Sequence, residues 1–334
     1  MEILVTGGAG FIGSHLVEAL LAQGHRVAVL DDFNAYYDPR IKESNLAAVR
    51  GQIELVRADI RDEAAVNRAV GKERFDAIIH LAGRAGVRPS IPDPRLYVDT
   101  NVTGTLNLLE AARAGGVGRF ILASSSSVYG LCQTSPFRED MPLPGTISPY
   151  AATKLAAEQL CSTYAHLYKI RTVCLRFFTV YGPRQRPDLA IHGFTRRIHR
   201  GQPIDQFGDG STRRDYTYVD DTVHGILGAL AYEGPIFDTF NLGESETTSL
   251  SELIAQIERA LGKTARINHL PDQPGDVPLT CADISKARAL LGYRPATPIA
   301  EGIPRFVEWF LQTQRDVSAA PPLSSSPREA VAAR

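Results

Sequence analysis

Tyr150 and Lys154 stand four residues apart in SPYAATK, at the opening of a helix for which Pro149 is a suitable first residue. That spacing puts a phenol and an ammonium on one helix face. A phenol titrates near pH 10 and is a poor base at neutral pH. A neighbouring cation favours the phenolate, so the pair can take a proton from an alcohol. A second group of interest lies in RFFTVYGPRQRPDLA, residues 176–190, where an apolar run stops at Gly-Pro and Arg184 and Arg186 flank Gln185. Guanidinium forks so placed are either solvated loop charges or binders of an anion. A carboxylate would suit them, because the planar fork makes a bidentate pair that lysine cannot reproduce.

Gly7, Gly10 and Gly13 form GxxGxxG between a strand, EILVTG, and a helix, SHLVEALLAQG. Glycines there allow a tight turn, close backbone approach to a pyrophosphate and close packing of helix on strand, with the anion at the positive helix end. A second strand ends in Asp31-Asp32 about twenty residues on, and a third ends in Asp59-Ile60. A carboxylate at the end of the second strand hydrogen-bonds ribose hydroxyls and repels a 2′-phosphate, so Asp31 argues for NAD over NADP. The competing reading is a plain strand–helix turn with Asp31 as a capping acid.

The elements that must position these groups follow from the apolar pattern. Short Val/Ile/Leu runs alternate with amphipathic helices from the N-terminus to about Tyr181. This predicts an α/β fold, a Rossmann-type doubly wound parallel sheet covered on both faces. Beyond Tyr181, Pro and Gly become frequent and the alternation is lost, which predicts a smaller mixed α/β C-terminal substrate lobe. The expected boundaries are 1–180 for the dinucleotide domain, with a returning segment at about 215–245, then 181–214 and 246–314 for the substrate lobe. The Ser/Pro/Ala-rich stretch 315–334 reads as a disordered tail.

The chain has 334 residues, 44% of them hydrophobic, and a net charge of −1 from 36 basic and 37 acidic side chains. Nothing there suggests a nucleic-acid or membrane partner. Four scattered cysteines without CxxC spacing read as small buried hydrophobes of a reducing compartment. With no apolar run near membrane length and no leader-like start, the expected location is the cytoplasm. Histidines 15, 80, 192 and 199 show no metal-ligand spacing, so no metal is expected, and His80 reads as a satisfied core residue.

Taken together, TGGAGFIGSH, LAG at 81–83, SSSSVYG, YAATK and RRDYTYVDD resemble the extended short-chain dehydrogenase/reductase family of NAD-dependent sugar-nucleotide epimerases and dehydratases, over residues 1 to about 295. The resemblance implies a triad of Ser125, Tyr150 and Lys154. In it, the serine hydroxyl holds a sugar O4 in line for the Tyr150 oxygen, and oxidised nicotinamide adds its charge to that of Lys154. It also implies a cofactor site made of Gly7, Gly10, Phe11, Ile12, Gly13, Asp31, Asp32, Asn34, Asp59, Ile60, Leu81, Ala82, Gly83, Asn101, Ser124, Tyr150 and Lys154. The 4,6-dehydratases of the family carry Asp-Glu after the triad hydroxyl, and the UDP-xylose synthases carry Glu at the second position. This chain has Ser126-Ser127, which leaves oxidation at C4 and reduction from the other face as the simplest chemistry.

Within the family, GVRPS at 86–90, SSSSVYG and RFFTVYGPRQRPD look most like the UDP-glucuronate 4-epimerases. By that resemblance Arg186 meets the C6 carboxylate, with Thr179, Ser126 and Ser127 holding it. Arg214 grips the pyrophosphate, Asp276 accepts from the nucleoside, and Arg88 reaches either diphosphate. Gln273 stands where related enzymes have an arginine. Arg184 and Arg213 read as solvent-facing charges. A neutral UDP-hexose or UDP-N-acetylhexosamine epimerase, a UDP-glucuronate decarboxylase and a non-catalytic NAD(H) sensor remain as alternatives. The resemblance also implies a homodimer through helices at about 96–115 and 149–168.

Overall fold

The computed structural model describes residues 1–71, 74–271 and 277–319, with the backbone alone for 316–319. Its strands are β1 Glu2–Thr6, β2 Arg26–Asp31, β3 Glu54–Arg57, β4 Ala77–His80, β5 Arg119–Ser125, β6 Arg171–Phe177, β7 Thr179–Tyr181, β8 Ile204–Phe207, β9 Arg213–Arg214, β10 Tyr216–Tyr218, β11 Phe237–Leu242, β12 Thr248–Ser249 and β13 Ile267–Leu270. Its helices are α1 Phe11–Ala22, α2 Pro39–Asn45, α3 Glu63–Val70, α4 Val87–Ser90, α5 Pro94–Val98, α6 Gly104–Gly115, α7 Pro149–Tyr168, α8 Ala190–His199, α9 Val219–Leu230, α10 Leu250–Leu261, α11 Ser285–Leu291 and α12 Ile299–Ala319. A π-helical turn, Asp99–Thr103, joins α5 to α6.

Seven strands make one parallel sheet in the order β3-β2-β1-β4-β5-β6-β11. Successive side chains of a strand face opposite sides, and both sides are buried here. Ile3 and Val5 of β1 pack with Leu16 and Leu20 of α1 and Ile226 of α9. Leu4, between them, packs with Val66 of α3, Leu108 of α6 and Ala157 of α7. This is the doubly wound Rossmann-type architecture expected from the sequence.

A third core gathers Ile191 and Ile198 of α8, Leu253 and Ile257 of α10, and Phe306 and Val307 of α12 against Tyr181 and Tyr218. Beside it lie two short strand pairs, β8 with β13 and β9 with β12, the second antiparallel. The segment β10–α9–β11 returns the chain to the main sheet, where β11 pairs with β6. At the C-terminus α12 continues past position 315, the expected start of a disordered tail, to Ala319, and residues 320–334 lie outside the described residues. No helix among the described residues is long and apolar enough to cross a membrane.

Candidate active site

The strand order changes direction between β1 and β4, and in open parallel sheets ligands bind at the carboxyl ends of strands at such a point. Gly7 ends β1 with φ +70, and a Cβ there would stand 2.7 Å from the Ala82 amide nitrogen. A Cβ on Gly13 would stand 2.2 Å from the Gly7 carbonyl oxygen. Gly7 demands glycine for space and conformation, and Gly13 for space. Gly10 caps α1 without a side-chain bond, and no acidic residue occupies the first turn. The opening amides of that helix, at Phe11, Ile12 and Gly13, are thus left for an anion, which fits the diphosphate of a dinucleotide. Phe11 itself is buried in the third core, so its contribution to such a site is its backbone.

Leu81, Ala82 and Gly83 leave β4 against β1, with the Leu81 amide donating to the Thr6 carbonyl at 3.0 Å. Asp31 reaches the crevice edge only 4% exposed. It accepts from the amides of Ala9 and Phe33 and from Lys42 Nζ at 3.0 Å. The buried Lys42 ammonium balances the charge of Asp31. Asp32, more exposed, accepts from the Asn34 amide and side chain. Asp59 accepts from the amide and guanidinium of Arg61, and Ile60 packs under Gly104.

Helix α7 opens with Ser148 accepting from the Ala151 amide at 3.1 Å and with Pro149 in its first turn. This places Tyr150 in the first turn and Lys154 one turn on, both buried. Ser125, the last residue of β5, lies within hydrogen-bonding reach of the Tyr150 phenol. Its hydroxyl also bonds that of Ser127 at 3.1 Å. The Tyr97 ring packs edge-on against Tyr150, 6.2 Å between centroids. Lys154 Nζ donates to the Ala123 carbonyl at 2.8 Å. Burial lowers its pKa to about 8, with the Glu158 carboxylate pulling the other way.

Burial likewise raises the Tyr150 phenol above its usual range, and the Ser125 hydroxyl and the Arg186 charge oppose that rise. The Lys154 ammonium thus sits one turn from the phenol on the same helix, anchored to a β5 carbonyl, and the Arg186 charge acts on the phenol in the same sense. Asn101, in the π turn, accepts from the Arg84 amide at 2.8 Å and donates to the Arg84 carbonyl and to Thr153. It thereby ties the loop after β4 to α7.

Arg186 Nε and Nη2 donate to Asp188 Oδ1 and Oδ2 at 3.1 and 2.9 Å, and its side chain is 18% exposed. Arg184 is not a solvated charge: with φ +64 it turns back to Glu18 of α1, with Nη2 at 2.7 Å from Oε1. Arg213 is engaged too, donating to Thr247 and facing Glu252 at 3.3 Å. Arg214 Nη1 donates to the Arg213 carbonyl at 2.9 Å. Arg88 lies over the Phe207 ring of β8 at 4.8 Å. Thr179 is exposed at the start of β7, and Ser126 and Ser127 are half-buried in the turn after β5. Asp276 and Gln273 lie outside the described residues.

The Ser124 hydroxyl is committed to the buried Glu158 carboxylate and does not face the crevice. Glu158, four residues after Lys154, also receives the Arg176 fork at 3.0 and 2.9 Å and went unnoticed as an ordinary helix acid. His80 is a satisfied core residue, bonded to Thr6 and Thr105. Among the described residues no cluster suits a metal ion.

Residues 4–306 match the family model described as GDP-mannose 4,6 dehydratase. A UDP-glucuronate 4-epimerase of Thermodesulfobacterium geofontis is 43% identical, over 92% of this chain and 95% of that protein. The structure of a UDP-glucuronic acid 4-epimerase from Bacillus cereus, in complex with UDP-glucuronic acid and NAD, superposes with a TM-score of 0.88 at 38% identity, over 94% of this chain and all of that one. A UDP-glucose 4-epimerase from Thermotoga maritima, with UDP-glucose, superposes at 0.87 and 34% identity, over the same shares of the two chains. The glycine cradle, the Ser125–Tyr150–Lys154 grouping and this likeness along almost the whole chain have one meaning: the protein belongs to the NAD-dependent epimerase/dehydratase family.

Proposed function

We propose that this chain is an NAD-dependent UDP-glucuronate 4-epimerase, interconverting UDP-glucuronate and UDP-galacturonate through a 4-keto sugar. The observation that carries the substrate assignment is the mostly buried Arg186 fork in the loop after β7, in a chain whose turn after β5 has serines at 126 and 127. A site without a carboxyl at those two positions lacks the acid that a dehydratase uses at C5 and C6. NAD, when bound, accepts a hydride from C4 and returns it.

The chain's own residues do the rest. Tyr150 takes the proton of the C4 hydroxyl, and Ser125 holds that oxygen in line. Oxidation at C4 makes a β-keto acid, which loses CO₂ when the C5–carboxylate bond stands perpendicular to the ketone. Arg186, with hydroxyls from Thr179, Ser126 and Ser127, holds that bond nearer the ring plane. Arg214 grips the substrate diphosphate, a role that suits a guanidinium, and Arg88 reaches either that diphosphate or the cofactor's. The third core and its strand pairs, 181–214 and 246–314, form the substrate lobe on a dinucleotide domain of 1–180 and 215–245. Val98, Leu106, Leu167 and Tyr168 leave apolar surface on α5, α6 and α7, in keeping with a homodimer through those helices. A cytoplasmic location is the reading that four scattered cysteines without CxxC spacing support.

The test is incubation of the holoenzyme with UDP-glucuronate and product analysis by NMR. Wild type yields UDP-galacturonate; Arg186→Ala raises KM for UDP-glucuronate at least about tenfold, the effect of losing a charge-assisted bidentate pair, and releases UDP-pentose. Wild-type efficiency and purity in Arg186→Ala defeat the acid assignment. A neutral UDP-hexose substrate is the second reading. It is favoured by the pairing of the Arg186 fork with Asp188, which a neutral sugar has no cause to disturb. Turnover of UDP-glucose in preference to UDP-glucuronate decides for it.

A further inference from the structure

Tyr36 belongs to the loop after β2, whose preceding residues Asp32 and Asn34 are expected at the cofactor. Two successive side-chain-to-backbone turns build that loop. Asp32 Oδ1 accepts from the Asn34 amide at 3.1 Å, and Asn34 Oδ1 accepts from the Tyr36 amide at 3.2 Å. They lead the chain to Tyr36. There the Arg186 guanidinium lies over its ring at 5.6 Å, with the Arg84 guanidinium at 5.4 Å from the same ring. The Asp188 carboxylate takes the Nε/Nη2 edge of the same Arg186 guanidinium. Arg186 is therefore held from two sides, by Tyr36 of the loop after β2 and by Asp188 of its own loop after β7.

An arginine has two edges able to grip a carboxylate: the side edge, Nε with Nη2, and the end edge, Nη1 with Nη2. Asp188 occupies the side edge, and the Tyr36 ring covers a face through a cation–π contact. What remains is the end edge. Holding the guanidinium this way removes side-chain freedom that a long residue would otherwise lose when it binds.

We propose that Tyr36 and Asp188 are positioning residues that brace the Arg186 fork, so that its end edge is presented to the substrate carboxylate and selectivity for a sugar acid depends on a residue of the cofactor loop. The inference rests on the reading of Arg186 given above. It makes the preference for acid over neutral sugar a property of three loops rather than of one arginine. Tyr36 touches neither reacting atoms nor, by this account, the substrate; it acts through Arg186.

The test compares the NAD-loaded full chain with its Tyr36→Phe, Tyr36→Ala, Asp188→Asn and Arg186→Ala variants. Dissociation constants for UDP-glucuronate and UDP-glucose are measured by calorimetry, and the UDP-pentose fraction is followed by NMR. Asp188→Asn should cut the acid-over-neutral preference by about tenfold, the scale of one charge-assisted hydrogen bond, and Tyr36→Ala by about threefold, the scale of an exposed cation–π contact. Both should raise the UDP-pentose fraction and leave the UDP-glucose constant where it was. Tyr36→Phe, which keeps the ring, should restore part of the preference, an outcome that a general loosening of the loop would not produce. If both brace variants keep the wild-type preference while Arg186→Ala loses it, the brace is wrong and the acid reading stands. If Arg186→Ala keeps the preference as well, the acid reading falls and the brace with it.

Discussion

Two arginine–carboxylate pairs bracket Tyr150 and Lys154, and they use the same fork in opposite surroundings. Behind the lysine, Arg176 of β6 grips Glu158 of α7, with the two side chains 6% and 3% exposed. In front of the phenol, Arg186 grips Asp188 with 18% and 33% exposed. In the sealed pair the remaining polar groups are also matched. Arg176 Nη1 donates to Tyr129, Tyr129 donates to Asn241 Oδ1 at 2.7 Å, and Ser124 donates to Glu158. A buried charge so matched cannot change partner without stranding another. At the mouth, water and a ligand compete for the same donors. Identical chemistry thus makes a clamp among β5, β6 and α7 in one place and leaves a fork within reach of solvent in the other.

The largest effect that would break this comparison is on stability. Arg176→Met or Glu158→Leu alone leaves a buried charge unpaired and should lower the unfolding free energy by about 3–5 kcal/mol, measured by urea denaturation. Replacing both residues together should recover most of the loss, since an apolar pair of similar volume is often tolerated. Single variants as stable as the parent would mean that water reaches the pair and that it is not sealed. At the mouth the order reverses. Arg186→Ala should change stability by no more than about 1 kcal/mol, as partly exposed pairs do, while its effect on UDP-glucuronate affinity is large. A stability loss there as great as that of Arg176→Met would make Arg186 a structural residue.

The mouth was more legible in the sequence than the clamp, for a physical reason. A glycine triplet between strand and helix, a phenol and an ammonium one turn apart, and a fork after a Gly-Pro are local patterns, and each meaning lies within a few residues. The parallel sheet was legible likewise, because strands buried on both faces read as unbroken apolar runs. Glu158 on its own is one more acid on a helix. Only the packing of α7 against β6 brings it to Arg176, eighteen positions later in number and buried in a strand. A signal was present: an arginine inside the otherwise apolar RTVCLRFF implies a buried partner. The direction in which Lys154 points, and the Lys42 ammonium that balances Asp31, are tertiary facts with no counterpart in spacing.

The smallest expected effect sharpens the comparison further, because it asks whether the clamp also speaks to the chemistry. Glu158 lies one turn beyond Lys154, and its negative charge partly offsets the burial that lowers the amine to about 8. If the Lys154 ammonium supports the Tyr150 phenolate, kcat/KM should fall on the alkaline side as that amine loses its proton near pH 8. In the Glu158→Leu/Arg176→Met double variant the carboxylate is gone, the charged amine is favoured less, and the alkaline limb should move to lower pH. Asp188→Asn, which alters the pair at the mouth, should leave that limb in place, since Asp188 is not among the groups acting on Lys154. Equal shifts in both variants would mean that the limb belongs to another group of the site, and the sealed pair would then be a clamp and nothing more.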